Sequence, residues 1–344
     1  MKNFMKNSII LGITMGDPNG IGPEIIIKYL MSEKKVDAMF VVFGAEEVFD
    51  YYLKMFELNI PINVINGDIE SEYNEDAINI INTTKVDMSQ IKAGQLSKEG
   101  GRSAFLSADM AIDYVFKGSI DAVITAPFNK EAINMAGFKY AGHTELLAEK
   151  AGTKDFVMML AARDFRVALV TTHVALRSVP KLITKERVLK TIRIANDALC
   201  NQFGIKNPKI AVCALNPHAS EHSLMGDEEE KFIIPAVNSA RGLGINVSGP
   251  YPADTIFSEN NRQYYDCFIS MYHDQGLGVL KALYFDEGVN ITLGIPIIRT
   301  SPDHGTAFDI AGKFIASYKS IKEAINQAYK MAELLHHSTP SFRA

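Results

Sequence analysis

Short runs of almost unbroken apolar residues alternate along this chain with longer stretches of helical spacing, and that alternation confines it to one broad class of fold. Ser8–Thr14, Ala38–Phe43, Ala122–Thr125, Phe156–Leu160, Val167–Thr171, Ile210–Leu215 and Cys267–Tyr272 are β-rich and apolar at nearly every position. Successive strand side chains point to opposite faces, so a continuously apolar strand must be covered on both sides. Between these runs lie helical patterns. Ala104, Phe105, Ala108, Ala111, Ile112, Val115 and Phe116 form a stripe on one helical face. Ser320 and Glu323 have capping-box spacing and open a helix running towards Leu335. Strands alternating with helices predict an α/β fold with a largely parallel sheet. No repeat, low-complexity segment or obvious linker interrupts the pattern, so any domain boundary is crossed by short loops.

At 344 residues and 47% hydrophobic content, the chain can bury more than one core. Charged residues make up 22% and the net charge is -5, which argues against disorder and gives no basic excess for nucleic acid or a membrane surface. An anionic substrate would therefore need a local basic pocket. No apolar stretch approaches the ~20 residues of a membrane helix. Met1–Ile13 has two lysines and a short apolar run without a small-residue cleavage pattern, so it is not read as a secretory signal. Cys200, Cys213 and Cys267 are odd in number and match no zinc spacing. Cys213 and Cys267 sit in apolar runs and read as buried, inert thiols, which suits a reducing, cytoplasmic compartment.

Three histidines share one context. Val167–Thr171 leads into Thr172-His173, Ile210–Leu215 into Asn216-Pro217-His218, and Cys267–Tyr272 into His273-Asp274-Gln275-Gly276. Open α/β sheets bind ligands just beyond the carboxyl ends of their strands, so three imidazoles distant in sequence can converge there. Neutral imidazoles add no negative charge and leave the full charge of a divalent metal available as a Lewis acid. The competing account makes each histidine a satisfied strand-end side chain, and for any one alone it is the better account. The repetition of the context brings the metal account level with it. His222, His336 and His337 lack it and read as loop or solvent-facing.

Anion-binding groups are also present. Gly142-His143-Thr144-Glu145 precedes a helical stretch, where N–H groups and the helix dipole favour an anion. The alternative makes Thr144 a simple N-cap. Lys281, Asn290 and Arg299 lie among apolar residues. A charge so flanked is costly unless paired, so a bound anion accounts for it, as would an internal salt bridge to Asp286, Glu287 or Asp303. The glycine-rich Gly16–Glu24 stretch is not G-x-G-x-x-G and contains Pro18. It reads as a tight strand–helix turn rather than a cofactor contact, so a dinucleotide site would have to be of a non-Rossmann type.

Ile13-Thr14-Met15-Gly16-Asp17-Pro18, Gly142-His143-Thr144-Glu145, Thr172-His173, Asn216-Pro217-His218-Ala219, Pro252-Ala253-Asp254-Thr255 and Tyr272-His273-Asp274-Gln275-Gly276 occur in this order. Gly288-Val289-Asn290-Ile291-Thr292 and Arg299-Thr300-Ser301-Pro302-Asp303-His304-Gly305-Thr306-Ala307 follow. Together these motifs resemble the 4-hydroxythreonine-4-phosphate dehydrogenase (PdxA) family over nearly the whole length. The resemblance implies an isocitrate/isopropylmalate dehydrogenase-like α/β fold of two α/β/α domains with a cleft between them. Residues 1–130 plus 290–344 would carry the cofactor loop, and residues 131–289 the metal ligands and dimer interface. It implies one divalent metal (zinc, magnesium or cobalt) held by His173, His218 and His273, with ligands shared across a homodimer interface. It implies substrate contacts from His143, Thr144, Lys281, Asn290 and Arg299. NAD or NADP would lie against the Asp303–Lys313 loop, through His304, Gly305, Thr306, Ala307 and Asp309. One departure is visible: Ala219–Gly226 replaces a more glycine-rich family segment.

The implied substrate is 4-phosphooxy-L-threonine, oxidised at C3 and then decarboxylated to 3-amino-2-oxopropyl phosphate in pyridoxine 5'-phosphate biosynthesis. Asp254 is a carboxylate candidate for the proton acceptor, with an N-cap role before Thr255 equally open. The nearest rival is a sister dehydrogenase acting on D-threonate 4-phosphate or D-erythronate 4-phosphate. A metal phosphohydrolase and a non-enzymatic phosphoacid-binding module are rivals of other classes. Metal identity stays open, since three imidazoles accept several divalent ions.

Overall fold

The computed structural model describes residues 8–33, 35–140 and 142–338, with the backbone alone described for His143, Thr144 and Ser338. The leader reading over Met1–Ile13 thus falls partly on residues outside the description. The strands are β1 (Ile10–Thr14), β2 (Met39–Gly44), β3 (Ile62–Val64), β4 (Ile78–Asn82), β5 (Ala122–Thr125), β6 (Val157–Ala162), β7 (Phe165–Leu169), β8 (Ile210–Cys213), β9 (Val247–Tyr251), β10 (Cys267–Ser270), β11 (Val289–Leu293) and β12 (Ile298–Pro302). The chain divides into two compact units, Met1–Thr153 with Pro296–Ala344, and Lys154–Ile295. These breaks fall later than the expected 130 and 289. The helices Lys130–Met135 and His143–Lys150 pack on the helix Lys98–Phe116 and so stay with the first unit. β11 pairs with β6 and stays with the second.

In the first unit the strands run β3-β4-β2-β1-β5-β12, and each of these neighbouring pairs is parallel. Every residue of β1, β2 and β5 is buried, as expected of strands covered on both faces. The helices Lys98–Phe116 and Lys319–Ser338 both pack on β1 and β5. Ser97 caps the first of these, its side chain accepting from Gly100 N at 2.9 Å. The predicted stripe is buried from Ala104 to Val115, but its last member, Phe116, is exposed at the end of the helix. Gly101 is required by close approach: a β-carbon there would stand 2.0 Å from Ala132 O.

The expected capping box does not form. The helix already includes Lys319, and Ser320 Oγ accepts from Asp303 N at 3.1 Å. Glu323 accepts from Gln327 Nε2 at 2.8 Å, one turn ahead rather than behind. The hydroxyl thus ties the helix start to the loop after β12.

In the second unit the order is β11-β6-β7-β10-β8-β9. β7, β10, β8 and β9 are parallel, whereas β6 runs antiparallel to both β7 and β11. The antiparallel part is a tight hairpin turned at Arg163 and Asp164, with Arg163 at φ 54°. Phe165, Phe257 and Phe268 are mutually packed at centroid distances of 5.2–6.0 Å and anchor this unit's core with Leu160, Val167, Leu169 and Leu280. Phe268 is fully buried, and truncating it to alanine is expected to cost about 3–5 kcal/mol. Because β7, β10 and β8 are parallel neighbours, their carboxyl ends share one edge of the sheet. Among the described residues, no helix is long and apolar enough to cross a membrane.

Candidate metal and anion site

In the second unit, three residues separate β7 from His173, four separate β8 from His218, and two separate β10 from His273, which opens the helix His273–Tyr284. The rings of His173 and His273 lie 5.4 Å apart, centroid to centroid, at 46°. An imidazole bound through nitrogen at about 2.0–2.1 Å has its centroid roughly 3.2 Å from a zinc-sized ion, so two of them at a tetrahedral angle stand roughly 5.2 Å apart. The observed separation fits one shared ion. His273 Nδ1 meets Asp274 Oδ1 at 2.7 Å. That contact occupies Nδ1 and leaves Nε2 as the ring nitrogen for a metal, as is usual for metal-ligating histidines oriented by a carboxylate. Sequence reasoning passed over Asp274, although its place directly after His273 was the available signal.

His218 does not join that pair. No group of three His, Cys, Asp or Glu among the described residues is arranged to hold a metal. His218 begins a run of six non-glycine residues with positive φ: His218 51°, Ala219 53°, Ser220 65°, Glu221 44°, His222 58° and Ser223 67°. L-residues rarely adopt this conformation. The run is closed by Met225 N donating to Ser220 O at 3.2 Å, around the buried Ser220. His222 lies exposed in this loop, as expected, but His336 does not face solvent alone: its Nε2 meets Asp121 Oδ1 at 2.8 Å.

The polar residues expected to bind an anion fall in both units. In the second, Lys281 lies on the helix His273–Tyr284 with its Nζ 5.3 Å from the Phe285 ring centroid. Asn290 is on β11, and its Oδ1 is buried with no hydrogen-bond partner among the described residues. Such an orphan acceptor in a native fold calls for a partner, and a ligand donor would supply one. In the first unit Arg299 on β12 is only 3% exposed, and its Nε and Nη2 donate to Thr125 Oγ1 at 3.1 and 2.7 Å. Burial pulls its guanidinium down to about 10, which still leaves it charged at neutral pH. His143 and Thr144 open the helix His143–Lys150, with their side chains outside the description. Gly142 holds the cap position, so Thr144 lies inside the helix and is not its N-cap. Asp254 is exposed within the short helix Ala253–Ile256, capped by Pro252, so its N-cap alternative also fails.

The loop after β12 contains His304, Gly305, Thr306, Ala307 and Asp309. His304 Nδ1 contacts Gly305 O at 3.0 Å, and Asp309 O accepts from Lys313 Nζ at 2.7 Å. Ala307 has φ 44°, and a β-carbon at the exposed Gly305 would meet nothing within 4 Å.

The Gly16–Glu24 turn supports this loop from beneath. Ile21 N donates to Thr306 O at 3.0 Å, and a β-carbon at Gly20 would stand 2.8 Å from the same oxygen. Asn19, fully buried, bonds Ser97 Oγ through Nδ2, Lys92 N through Oδ1 and Gly94 N through its carbonyl. Asp17 is fully buried, accepts from Asn19 N, and has its carboxyl pushed up to about 6 by that burial. The buried Cys213 and Cys267 thiols are likewise pushed up to about 12, which keeps them protonated and inert.

The family description of pyridoxal phosphate biosynthetic protein PdxA matches residues 35–328. A Geobacter metallireducens protein named 4-hydroxythreonine-4-phosphate dehydrogenase is 45% identical, covering 94% of this chain and 95% of its own. An Oceanobacillus iheyensis protein, provisionally named a D-threonate 4-phosphate dehydrogenase, is 44% identical over 95% of this chain and 99% of its own. The crystal structure of 4-hydroxythreonine-4-phosphate dehydrogenase from Klebsiella pneumoniae superposes with a TM-score of 0.87, at 40% identity, over 94% of this chain and 98% of that one. A β-decarboxylating dehydrogenase from Thermococcus kodakarensis shares the fold alone, at TM-score 0.51 and 15% identity over 95% of this chain and 83% of that one.

Proposed function

The chain belongs to the PdxA family of pyridoxal phosphate biosynthetic proteins, and from that membership we propose that it is a dehydrogenase oxidising 4-phosphooxy-L-threonine at C3. The product, a β-keto acid, loses its carboxylate as CO2 and leaves 3-amino-2-oxopropyl phosphate for pyridoxine 5'-phosphate biosynthesis. The observation that carries this reading is near-full-length similarity to enzymes named for that reaction, combined with a pair of imidazoles at the strand-end edge.

Residue roles follow from the chemistry each offers. His173, His273 and His218 would hold one divalent ion, zinc, magnesium or cobalt. When bound, such an ion supplies Lewis acidity towards oxygen, and NAD or NADP on the Asp303–Lys313 loop supplies the hydride acceptor. Arg299 and Lys281 would bind anionic groups of the substrate, with Asn290, His143 and Thr144 orienting the rest. The C3 hydroxyl must lose a proton, and the exposed Asp254 is the carboxylate proposed to take it. The enzyme would work in the cytoplasm as a homodimer. Support for the dimer comes from the second unit, where Val174, Leu176 and Leu224 beside the histidine loops are 41%, 69% and 80% exposed, with Phe285 at 74%. A second copy would cover these apolar side chains.

A second reading has its own support: the relative named for D-threonate 4-phosphate is as similar as those named for the amino acid. The deciding assay follows NADH absorbance with 4-phosphooxy-L-threonine, D-threonate 4-phosphate and D-erythronate 4-phosphate side by side, each with and without added divalent metal. Turnover of the amino acid at least tenfold more efficient than of either sugar acid is expected. The reverse ranking would transfer the function to sugar-acid catabolism. Phosphate release without NADH would mean a phosphohydrolase.

A further inference from the structure

The edge of the sheet that carries the candidate imidazoles is tied together by buried polar side chains. Thr171, fully buried, directs both its N and its Oγ1 to Met271 O, at 3.2 and 2.7 Å, joining the end of β7 to the end of β10. Gln275 is 8% exposed. Its Oε1 accepts from Met271 N at 2.7 Å and its Nε2 donates to Ala214 O at 2.7 Å, joining β10 to β8. Glu229, fully buried, accepts from Leu215 N at 2.8 Å and Asn216 N at 2.7 Å through Oε1, and from Asn216 Nδ2 at 2.9 Å through Oε2.

Each bond falls a few residues from a candidate ligand. Met271, whose N and O are both held, lies two residues before His273. Thr171 lies two before His173, and Asn216 two before His218. Glu229 itself begins a π-helical turn, Glu229–Ile233, an irregularity that recurs at functional sites. All three side chains bond backbone groups that lie beyond the last residues of β10 and β8. They act where the regular pairing has ended and where the histidine loops begin.

We propose that Thr171, Gln275 and Glu229 are positioning residues that hold the strand ends so that His173 and His273 keep one separation and His218 keeps one direction. The proposal rests on the metal reading given above. Its physical content is that ligands 1 Å out of place cost metal affinity, and partners behind the ligands typically contribute ten- to a hundredfold.

The test uses the full-length protein, stripped with a chelator and titrated with Co2+, whose visible spectrum reports affinity and coordination geometry. Thr171→Val, Gln275→Glu and Glu229→Gln are expected to weaken Co2+ binding by about ten- to a hundredfold while the folded fraction stays near wild type. Thr171→Ser, which keeps the oxygen, should bind as the wild type does. A purely structural role would lower the unfolding temperature and leave Co2+ affinity unchanged, and that result would overturn the proposal. If Glu229→Gln does not fold, Thr171→Val decides, since it replaces one oxygen by a methyl group. His173→Ala is the control. Wild type binding Co2+ no better than His173→Ala would remove the metal reading, and the proposal with it. Histidine-dependent binding that all three variants keep intact would remove the proposal alone.

Discussion

Arg299 carries a charge into the first unit's interior, with Thr125 Oγ1 accepting from its Nε and Nη2. Desolvation, which pulls its guanidinium down to about 10, works against holding the charged form there. A buried charge kept at such a cost is more readily explained by function than by stability. Arg299→Met should therefore lower kcat/KM by tenfold or more without lowering the urea-unfolding free energy, and Arg299→Lys should also be slow because the planar fork is lost. Wild-type kinetics with a less stable protein would make Arg299 structural. Asp17 gives a pH-dependent prediction. Its carboxyl is raised from 3.8 to about 6 by burial, so the folded state binds the proton more tightly than the unfolded chain. Stability from this group is full below about pH 4, falls as pH rises through about 6, and is then lower by roughly 3 kcal/mol. Asp17→Asn keeps an acceptor for Asn19 N and has no charge to bury. Relative to wild type it should gain stability at pH 7.5 and gain little at pH 4. A difference that does not change with pH would refute the burial account.

The segment His218–Ser223 is an element of unusual conformation, with six successive non-glycine residues at positive φ. Each residue forced there pays about 1 kcal/mol or more, and a structure keeps such strain only where its surroundings over-determine it. Glu221 is exposed within the run, at φ 44°. Glu221→Gly relieves the β-carbon strain but adds backbone freedom to the unfolded chain, for a net stabilisation of about 0.5–1 kcal/mol by urea unfolding. Destabilisation would mean that the side chain holds the turn. Nothing in the local sequence marks this backbone, since the run carries no glycine before Gly226. The elements themselves were unevenly legible. Continuous apolar runs gave away β1, β2, β5, β6, β7, β8 and β10 because burial on both faces leaves few polar positions. β3, β4, β9, β11 and β12 were missed, being short or interrupted by Asn, Ser, Thr and Arg. Asn290 and Arg299 belong to this missed set, so the polarity that marked them as functional also hid the strands that carry them. Glu229 lies in the acidic run Asp227–Glu230, a pattern that reads as solvated surface, and nothing in the sequence marks it as buried.

At the scale of the whole molecule, the arrangement of the candidate ligands within one chain predicts how two chains would share them. His173 and His273 stand 5.4 Å apart in a single chain, while no third His, Cys, Asp or Glu among the described residues completes a metal group. If the family's shared-ligand dimer holds here, the pair comes from one subunit and His218 from its partner. Complementation between inactive variants then depends on which histidines are lost. Co-expressing His173→Ala with His218→Ala yields mixed dimers in which one composite site carries both lesions and the other carries none. With random pairing, half the dimers are mixed and half their sites are intact, so activity should return to about a quarter of wild type. His273→Ala with His218→Ala should behave the same way. His173→Ala with His273→Ala should stay inactive, because every mixed dimer then has one lesion in each site. Dilution should also lower wild-type activity through the dimer dissociation constant. Activity recovered by the His173→Ala and His273→Ala pair, together with only one of the two pairings with His218→Ala, would place the two neighbouring imidazoles in different sites. A monomer fully active at every dilution would mean that one chain supplies all three ligands.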